Sequence, residues 1–322
     1  MALQNEIWIQ DIQKVLFQSD LSWLEYGTNH DSYAGQAFAS GYRQVNIPQA
    51  TAFTDGTNVD YSSTLPRTVS KRTDSILNYT INVYDTGVIA FQYSDALQVS
   101  YDLRASIITQ QIEEMAQKIG TEVLGKWAVS SLTASATRCV ATSGATTSVW
   151  NETGQTGTRR LISITDIQKL SRILDLDNMP QSDRYLIMPA SMYTQLFALD
   201  EVKNSIAFYG FQRGNTLPEK NLPQLFGFTV IMRPTVLAYA STGAIKSSDQ
   251  YGLYSLAAGD NLACLAFHKS AVAKGMGGIL AYQGILNDPL MSGGQSLLAV
   301  CAMGAAKLRA DEKGVAVLYQ GS

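Results

Sequence analysis

The sequence predicts an α+β fold, and three observations carry that reading. Apolar residues recur at steps of three and four from Ile108 to Trp127, as one face of a long helix requires. Leu77, Tyr79, Ile81 and Val83 alternate with Asn78, Thr80, Asn82 and Tyr84, the period of a half-exposed strand. Between Thr165 and Met232, short helical patterns alternate with apolar runs of strand length. A chain of 322 residues holds one large domain or two intimately joined ones, with a sizeable core.

Taken in order, residues 1 to about 60 do not read as a compact domain. A short helical stretch from Ile7 to Phe17 gives way to Gly, Asn, Ser and Thr with isolated aromatics, among them Tyr33, Phe38, Tyr42 and Phe53. Such a segment buries little by itself, so it is expected as an arm docked on another surface. Pro66 to Arg72 is polar and basic and predicts a protruding loop. The alternating strand follows, with Asp85-Thr86-Gly87 as a turn and Val88 to Phe91 as the returning partner.

The long helix is expected over about 100–130, with Ser100 as N-cap and Asp102 complementing the helix dipole. Its stripe is Ile108, Ile112, Met115, Ile119, Val123 and Trp127. Ser, Thr, Ala and Gly then dominate from Ser130 to Gly157, which predicts a connection. Thr165-Asp166-Ile167-Gln168 matches a capping box opening a helix that stops before Pro180. Tyr185 to Met188 reads as a buried strand, Ser191 as the cap of another helix, and Phe228 to Met232 as a strand after a polar excursion at 200–222. Asn261–Phe267 and Leu297–Met303 read as strands, and Ala305–Tyr319 as a hairpin turning near Asp311 to Gly314.

Composition narrows the function classes. Charged residues make up 16% of the chain, against roughly a quarter in soluble proteins, while hydrophobic residues make up 46%. A surface so poor in charge is expected to lie against partners, and 16 Tyr and 9 Met suit interfaces. Net charge is −3 and there is no long unbroken run of basic residues, so nothing draws the chain to nucleic acid in the way a DNA-binding regulator needs. The first residues lack a basic start and a continuous apolar core, so no signal peptide is expected, and no apolar run reaches ~18 residues. Cys139, Cys264 and Cys301 are scattered, which suits free thiols in a reducing compartment.

The search for chemistry returns little. His30 and His268 are the only histidines, and no Gly-x-Ser-x-Gly elbow accompanies them, so a structural role is expected for each. Gly275 to Gly278 forms neither a dinucleotide nor a phosphate-loop pattern and is expected to permit a tight bend. Asp175 and Asp177 lack the Gly and distal Glu of a calcium loop and read as a solvated helix end. Glu113 and Glu114 point in different directions on a helix, not at one reacting atom. No catalytic, cofactor-binding or metal-ligating residue is expected, and the protein is not expected to be an enzyme.

The order of parts nevertheless resembles a known family. Texture lies in Val45-Asn46-Ile47-Pro48, in the strand region Ile76 to Tyr93, in Tyr101-Asp102-Leu103, and in Gln110-Gln111-Ile112. Arg184 to Pro189 with a following helix, then Phe226 to Val230 and a Pro, completes it. The chain resembles the Hong Kong 97-like major capsid proteins of tailed bacteriophages. That resemblance implies an arm at 1–60, an extended loop at 61–98, a peripheral domain at 99–158 and 261–322, and an axial domain at 159–260. It implies hexamers and pentamers of an icosahedral shell around double-stranded DNA, assembled in the bacterial host cytoplasm and present in the virion. Scaffolding, portal and cement proteins are the implied partners, with packaged DNA bound without sequence specificity and no membrane involved. Arg67, Lys71 and Arg72 are the residues expected at a subunit contact. An encapsulin shell has the same fold and is the nearest alternative; a tail-tube protein would be mostly strands, and a hydrolase or transferase would need a polar cluster.

Overall fold

The inner strands of the central sheet are buried on both faces, and that arrangement organises the rest. The computed structural model describes residues 21–41, 43–49, 75–92, 103–199, 225–286 and 294–321. A 3-10 turn (Ser22–Tyr26) leads into β1 (Thr28–Asn29), α1 (Asp31–Ala39) and β2 (Gln44–Gln49). Next come β3 (Ser75–Thr80), β4 (Asn82–Asp85), β5 (Ile89–Gln92) and the long helix α2 (Leu103–Trp127). After α2 lie β6 (Cys139–Ala141), β7 (Thr146–Thr147), β8 (Arg159–Arg160), α3 (Ile164–Leu176), β9 (Arg184–Pro189) and α4 (Ala190–Ala198). The remainder is β10 (Phe228–Arg233), β11 (Leu237–Tyr239), β12 (Asn261–His268), β13 (Val272–Leu286), β14 (Gly294–Lys307) and β15 (Val315–Tyr319).

The central sheet runs β10-β9-β12-β15-β6, with β11 continuing β9's side of β12. Tyr185, Ile187, Leu265, Phe267, Val315 and Val317 face the cluster around α2. Leu186, Met188, Cys264, Ala266, Ala316 and Leu318 face α3 and α4. With both faces dry, β9 is buried at every position, which is why Tyr185 to Met188 carries no polar alternation. Each fully buried Leu, Ile, Val or Phe contributes about 1.5–3 kcal/mol.

Helix α2 spans 25 residues, about 37 Å at ~1.5 Å per residue. Ile112, Met115, Ile119, Val123 and Trp127 of the expected stripe are all buried. Trp127 donates through Nε1 to the Ala273 carbonyl (2.9 Å) and meets Trp23 edge-on, ring centres 5.5 Å apart. Leu21, Trp23 and Leu24 thus dock into the chain's own core, so the described residues of the expected arm, 21–41 and 43–49, pack and pair within their own subunit. The helical stretch expected at Ile7–Phe17, Ser100 and Asp102 at the helix start, and the excursion at 200–222 lie outside the described residues.

The second sheet runs β1-β13-β14-β4, and β5 pairs with β14 beyond β4. Here the pairing corrects the hairpin expected at Asp85 to Gly87. Tyr84 pairs with Cys301, and Ile89 pairs with Leu297, so β4 and β5 follow β14 in one direction. Residues 86–88 are an interruption in a continuing edge, with Gly87 at φ +71. The antiparallel partner of β3 is β2, from Val45↔Tyr79 to Pro48↔Ile76.

Other corrections share a cause: local turn chemistry was overridden by a distant partner. Asp311 to Gly314 does not close a hairpin, because β15 pairs with β12 and β6 while β14 pairs with β13. Gly275 to Gly278 lies inside β13, where the register slips between Met276 and Gly278; this is a bulge and not a bend. The α3 cap is Ser163 rather than Thr165, and Asp166 Oδ2 accepts the Ser163 N–H (3.1 Å). Pro189, not Ser191, precedes α4. The connection at 130–157 contains β6, a parallel partner of β15. Because β12 and β15 hydrogen-bond within the sheet of β9, that sheet crosses the border expected at residue 260.

Candidate interaction surfaces

The sequence-predicted contact residues Arg67, Lys71 and Arg72 lie outside the described residues. What the structure describes is the two-stranded ladder that leads to them. Its Thr80 end is rooted: Val45, Tyr79 and Ile81 are buried with Ala34, Ala302 and Ala306, and Ile81 N–H donates to the Arg43 carbonyl (2.7 Å). Its far end is open, with Ile76 70% exposed. Ile76 is thus an apolar side chain presented on the surface of a two-stranded ladder.

Beside this root lies a groove of about 540 Å³ between the β4–β5 interruption, α2 and the loop at Gln250–Tyr251. The interruption forms its wall. Thr86 N–H donates to Ala299 O, and Ala299 N–H donates to Thr86 Oγ1, both 3.1 Å. Gln111 on α2 donates through Nε2 to Thr86 O (3.3 Å), while its Oε1 is buried without a partner among the described residues. Tyr251, 47% exposed, adds apolar area to the groove. Asp85 on β4 and Glu114 on α2 line it, together with Lys118, whose ammonium is paired with Glu122.

The groove floor is held by charge. Tyr84 donates to Glu122 (2.7 Å), and Lys118 pairs with Glu122 (2.9 Å) while donating to Asp249 O (2.7 Å). Burial alone would raise the Glu122 pKa, but the hydrogen bonds from Lys118 and Tyr84 outweigh it and hold the carboxyl below its usual value. Burial and the Glu122 hydrogen bond raise the Tyr84 hydroxyl well above its ordinary range.

A second charged knot ties the two sheets where they meet. Two short joints link the sheets here, Lys269–Ala271 between β12 and β13 and residues 308–314 between β14 and β15. His268 N–H to Gly314 O (2.9 Å) and Leu308 N–H to Ala271 O (2.8 Å) lace the two joints together. Glu312 accepts from Ser130 Oγ (3.0 Å), Ser135 Oγ (2.8 Å) and Lys307 Nζ (2.6 Å). Asp177 accepts both Arg138 guanidinium nitrogens (2.6 and 3.0 Å) and the Gly314 N–H (2.9 Å). Both carboxyls would be raised by burial but are held low, Glu312 chiefly by Lys307 and Ser135, Asp177 chiefly by Arg138 and Gly314. Asp175 reaches Arg184 (2.6 Å). The acidic cluster read as a solvated helix end is therefore two arginine-paired carboxylates, a tertiary contact that the local sequence does not show.

The remaining reactive types are structural. His268 Nδ1 accepts the Ser270 N–H (3.1 Å), and burial lowers its pKa, as it does that of His30. Burial pushes the Cys139 thiol up to about 11 and the Cys301 thiol up to about 12. Among the described residues no group of three His, Cys, Asp or Glu is placed to hold a metal ion, and no helix is long and apolar enough to cross a membrane.

Comparison with known proteins agrees with this arrangement. The profile of a family described as Gp10A-like: Major capsid protein matches residues 86–315. The capsid structure of cyanophage P-SCSP1u superposes with a TM-score of 0.57 at 16% identity, covering 91% of this chain and 86% of that one. The cyanophage Pam1 capsid asymmetric unit gives 0.61 at 8% identity, with 92% and 88% covered. The capsid of Ralstonia phage GP4 gives 0.54 at 11% identity, with 87% and 84% covered. At these identities the likeness is one of fold. No curated protein sequence matches.

Proposed function

The chain belongs to the Gp10A-like family of major capsid proteins, and from that premise we propose that its copies assemble as hexamers and pentamers of an icosahedral shell enclosing double-stranded DNA. It is a capsid subunit of a tailed bacteriophage with the Hong Kong 97-like α+β fold. The observation that carries the assembly reading is the ladder β2–β3, rooted at Tyr79 and exposed at Ile76. In this reading the protein acts by binding copies of itself and performs no catalysis. Scaffolding, portal and cement proteins complete the assembly, which takes place in the host cytoplasm. Packaged DNA is enclosed without specific contacts, consistent with a net charge of −3.

The arm comprises the residues before β2, the axial domain 159–260, and the peripheral domain 99–158 with 261–322. The pairing of β2 with β3 argues that the extended loop begins before residue 61, its two sides being residues 44–49 and 75–80, with Arg67, Lys71 and Arg72 between them in sequence. Those basic residues complement the carboxylates Asp85 and Glu114 in the groove of a neighbouring copy. Exposed pairs contribute only about 0–1 kcal/mol each, but a closed shell repeats every one.

The test is negative-stain electron microscopy of the full chain, expressed alone and with neighbouring viral genes. Closed shells or isolated hexamers and pentamers are expected. A monodisperse monomer under both conditions overturns the reading. For the contact, Arg67→Glu/Lys71→Glu/Arg72→Glu should block assembly at low salt and recover near 1 M salt, where screening reaches ~3 Å. Normal assembly of that variant at low salt removes these residues from the interface.

A further inference from the structure

The ladder's root contains a fit that backbone geometry alone does not require. Gly275 of β13 and Gly304 of β14 are directly paired across the sheet. Neither has positive φ, so neither is glycine for the sake of a turn. A methyl group at Gly304 would come within 2.7 Å of Tyr79 Cε2, and one at Gly275 within 2.7 Å of Tyr79 Oη and 2.8 Å of Ala34 Cβ. The two bare positions thus form a slot, and the Tyr79 ring fills it. His30 lies over the ring, centres 6.4 Å apart at 22°.

Two further facts show that shape holds the ring. Tyr79 is 6% exposed, yet its hydroxyl is buried with no hydrogen-bond partner among the described residues. Beyond Tyr79 the ladder borders a cleft of about 400 Å³, lined by Leu77, Lys126, Ala306 and Arg309 among others. A ladder with open space beside it has room to swing, and Tyr79 is the side chain that locks its root.

We propose that Tyr79, seated in the Gly275–Gly304 slot, is the positioning residue that fixes the direction in which the extended loop leaves the subunit, and so selects closed, uniform shells. The proposal rests on the reading that this loop reaches a neighbouring copy. A ring wedged between paired glycines has one seat, whereas a smaller side chain leaves the ladder several directions with the subunit still folded.

The experiment is co-expression of full-length variants, with shell yield and diameter read by electron microscopy and subunit folding read by thermal melting. Tyr79→Phe keeps the wedge and should give shells of wild-type yield and diameter. Gly304→Ala overfills the slot and Tyr79→Ala empties it; each should lower uniform closed shells at least about tenfold while the subunit still melts cooperatively. Combining Gly304→Ala with Tyr79→Leu, which restores room beneath the added methyl, should recover part of the yield. Wild-type shells from Tyr79→Ala overturn the proposal, and so does failure of Tyr79→Ala to fold, which would make Tyr79 a plain core residue. If Tyr79→Phe loses shells, the hydroxyl and not the fit is responsible, and the proposal is equally overturned. Absence of shells from the wild-type chain counts against the assembly reading and not against the wedge.

Discussion

Trp127 shows how one side chain ties three segments together. It is fully buried, meets Trp23 from the arm, and hydrogen-bonds Ala273 of β13. Trp127→Ala should cost about 3–5 kcal/mol in urea unfolding of the dissociated subunit. Gly27→Ala should also destabilise, because its methyl would lie 2.8 Å from the indole. Glu312 makes a pH-dependent contribution. Its folded-state pKa is depressed, so its stabilisation is present above the unfolded value near 4.3 and is lost as pH falls through the folded value. Glu312→Gln should therefore cost about 1–3 kcal/mol at neutral pH, with the difference from wild type vanishing in acid. Urea midpoints at two pH values check this. Trp127 was legible in sequence from its place on the stripe; Glu312 was not, since its partners at Ser130 and Ser135 are some 180 residues distant.

Among the elements, α2 and β9 were plain in the sequence because burial writes itself as periodicity or as an unbroken apolar run. The β13–β14 pair was read only in part, at Leu297–Met303. Its middle is Gly- and Ala-rich because Tyr79 and Ala34 press against it, and small residues carry no hydrophobic signature. The α3 cap shows a different limit. Both Ser163 and Thr165 stand three residues before a side chain that can complete a box, and the choice is made by tertiary bonds. Asp166 accepts from Ser143 N–H (2.9 Å) and Ser143 Oγ (2.7 Å) as well as from Ser163. Asp166→Ala leaves these donors unpaired and should cost about 2–3 kcal/mol. Hydrogen exchange should accelerate first in the opening turn of α3; uniform acceleration throughout the chain would show a global effect instead.

For the whole molecule, the low charge content and the family agree in physical terms. A subunit with 16% charged residues gains little from long-range attraction, so its association relies on buried apolar and uncharged polar area. Assembled wild-type shells should therefore persist when salt rises from 0.1 to 1 M, a range over which the screening length falls from about 10 to 3 Å. Light scattering follows this directly, and dissolution in high salt would place the main contacts in exposed ion pairs. The overall class was legible from the order of parts. The crossing of β12 and β15 into the sheet of β9 was not, because no local pattern tells which sheet a strand will join.

That crossing has a consequence in time. β15 sits between β12 and β6, and β6 ends at residue 141 while β15 begins at 315. At a synthesis rate of roughly 5–20 residues per second, β6 waits about 9–35 s for the partner that completes its edge. The central sheet thus stays unfinished until Val315–Tyr319 has been made, and the surfaces it supports are assembled only after that. Stalled nascent chains ending before Val315 should remain protease-sensitive around Cys139–Ala141, whereas chains stalled with Tyr319 outside the exit tunnel should resist cleavage there.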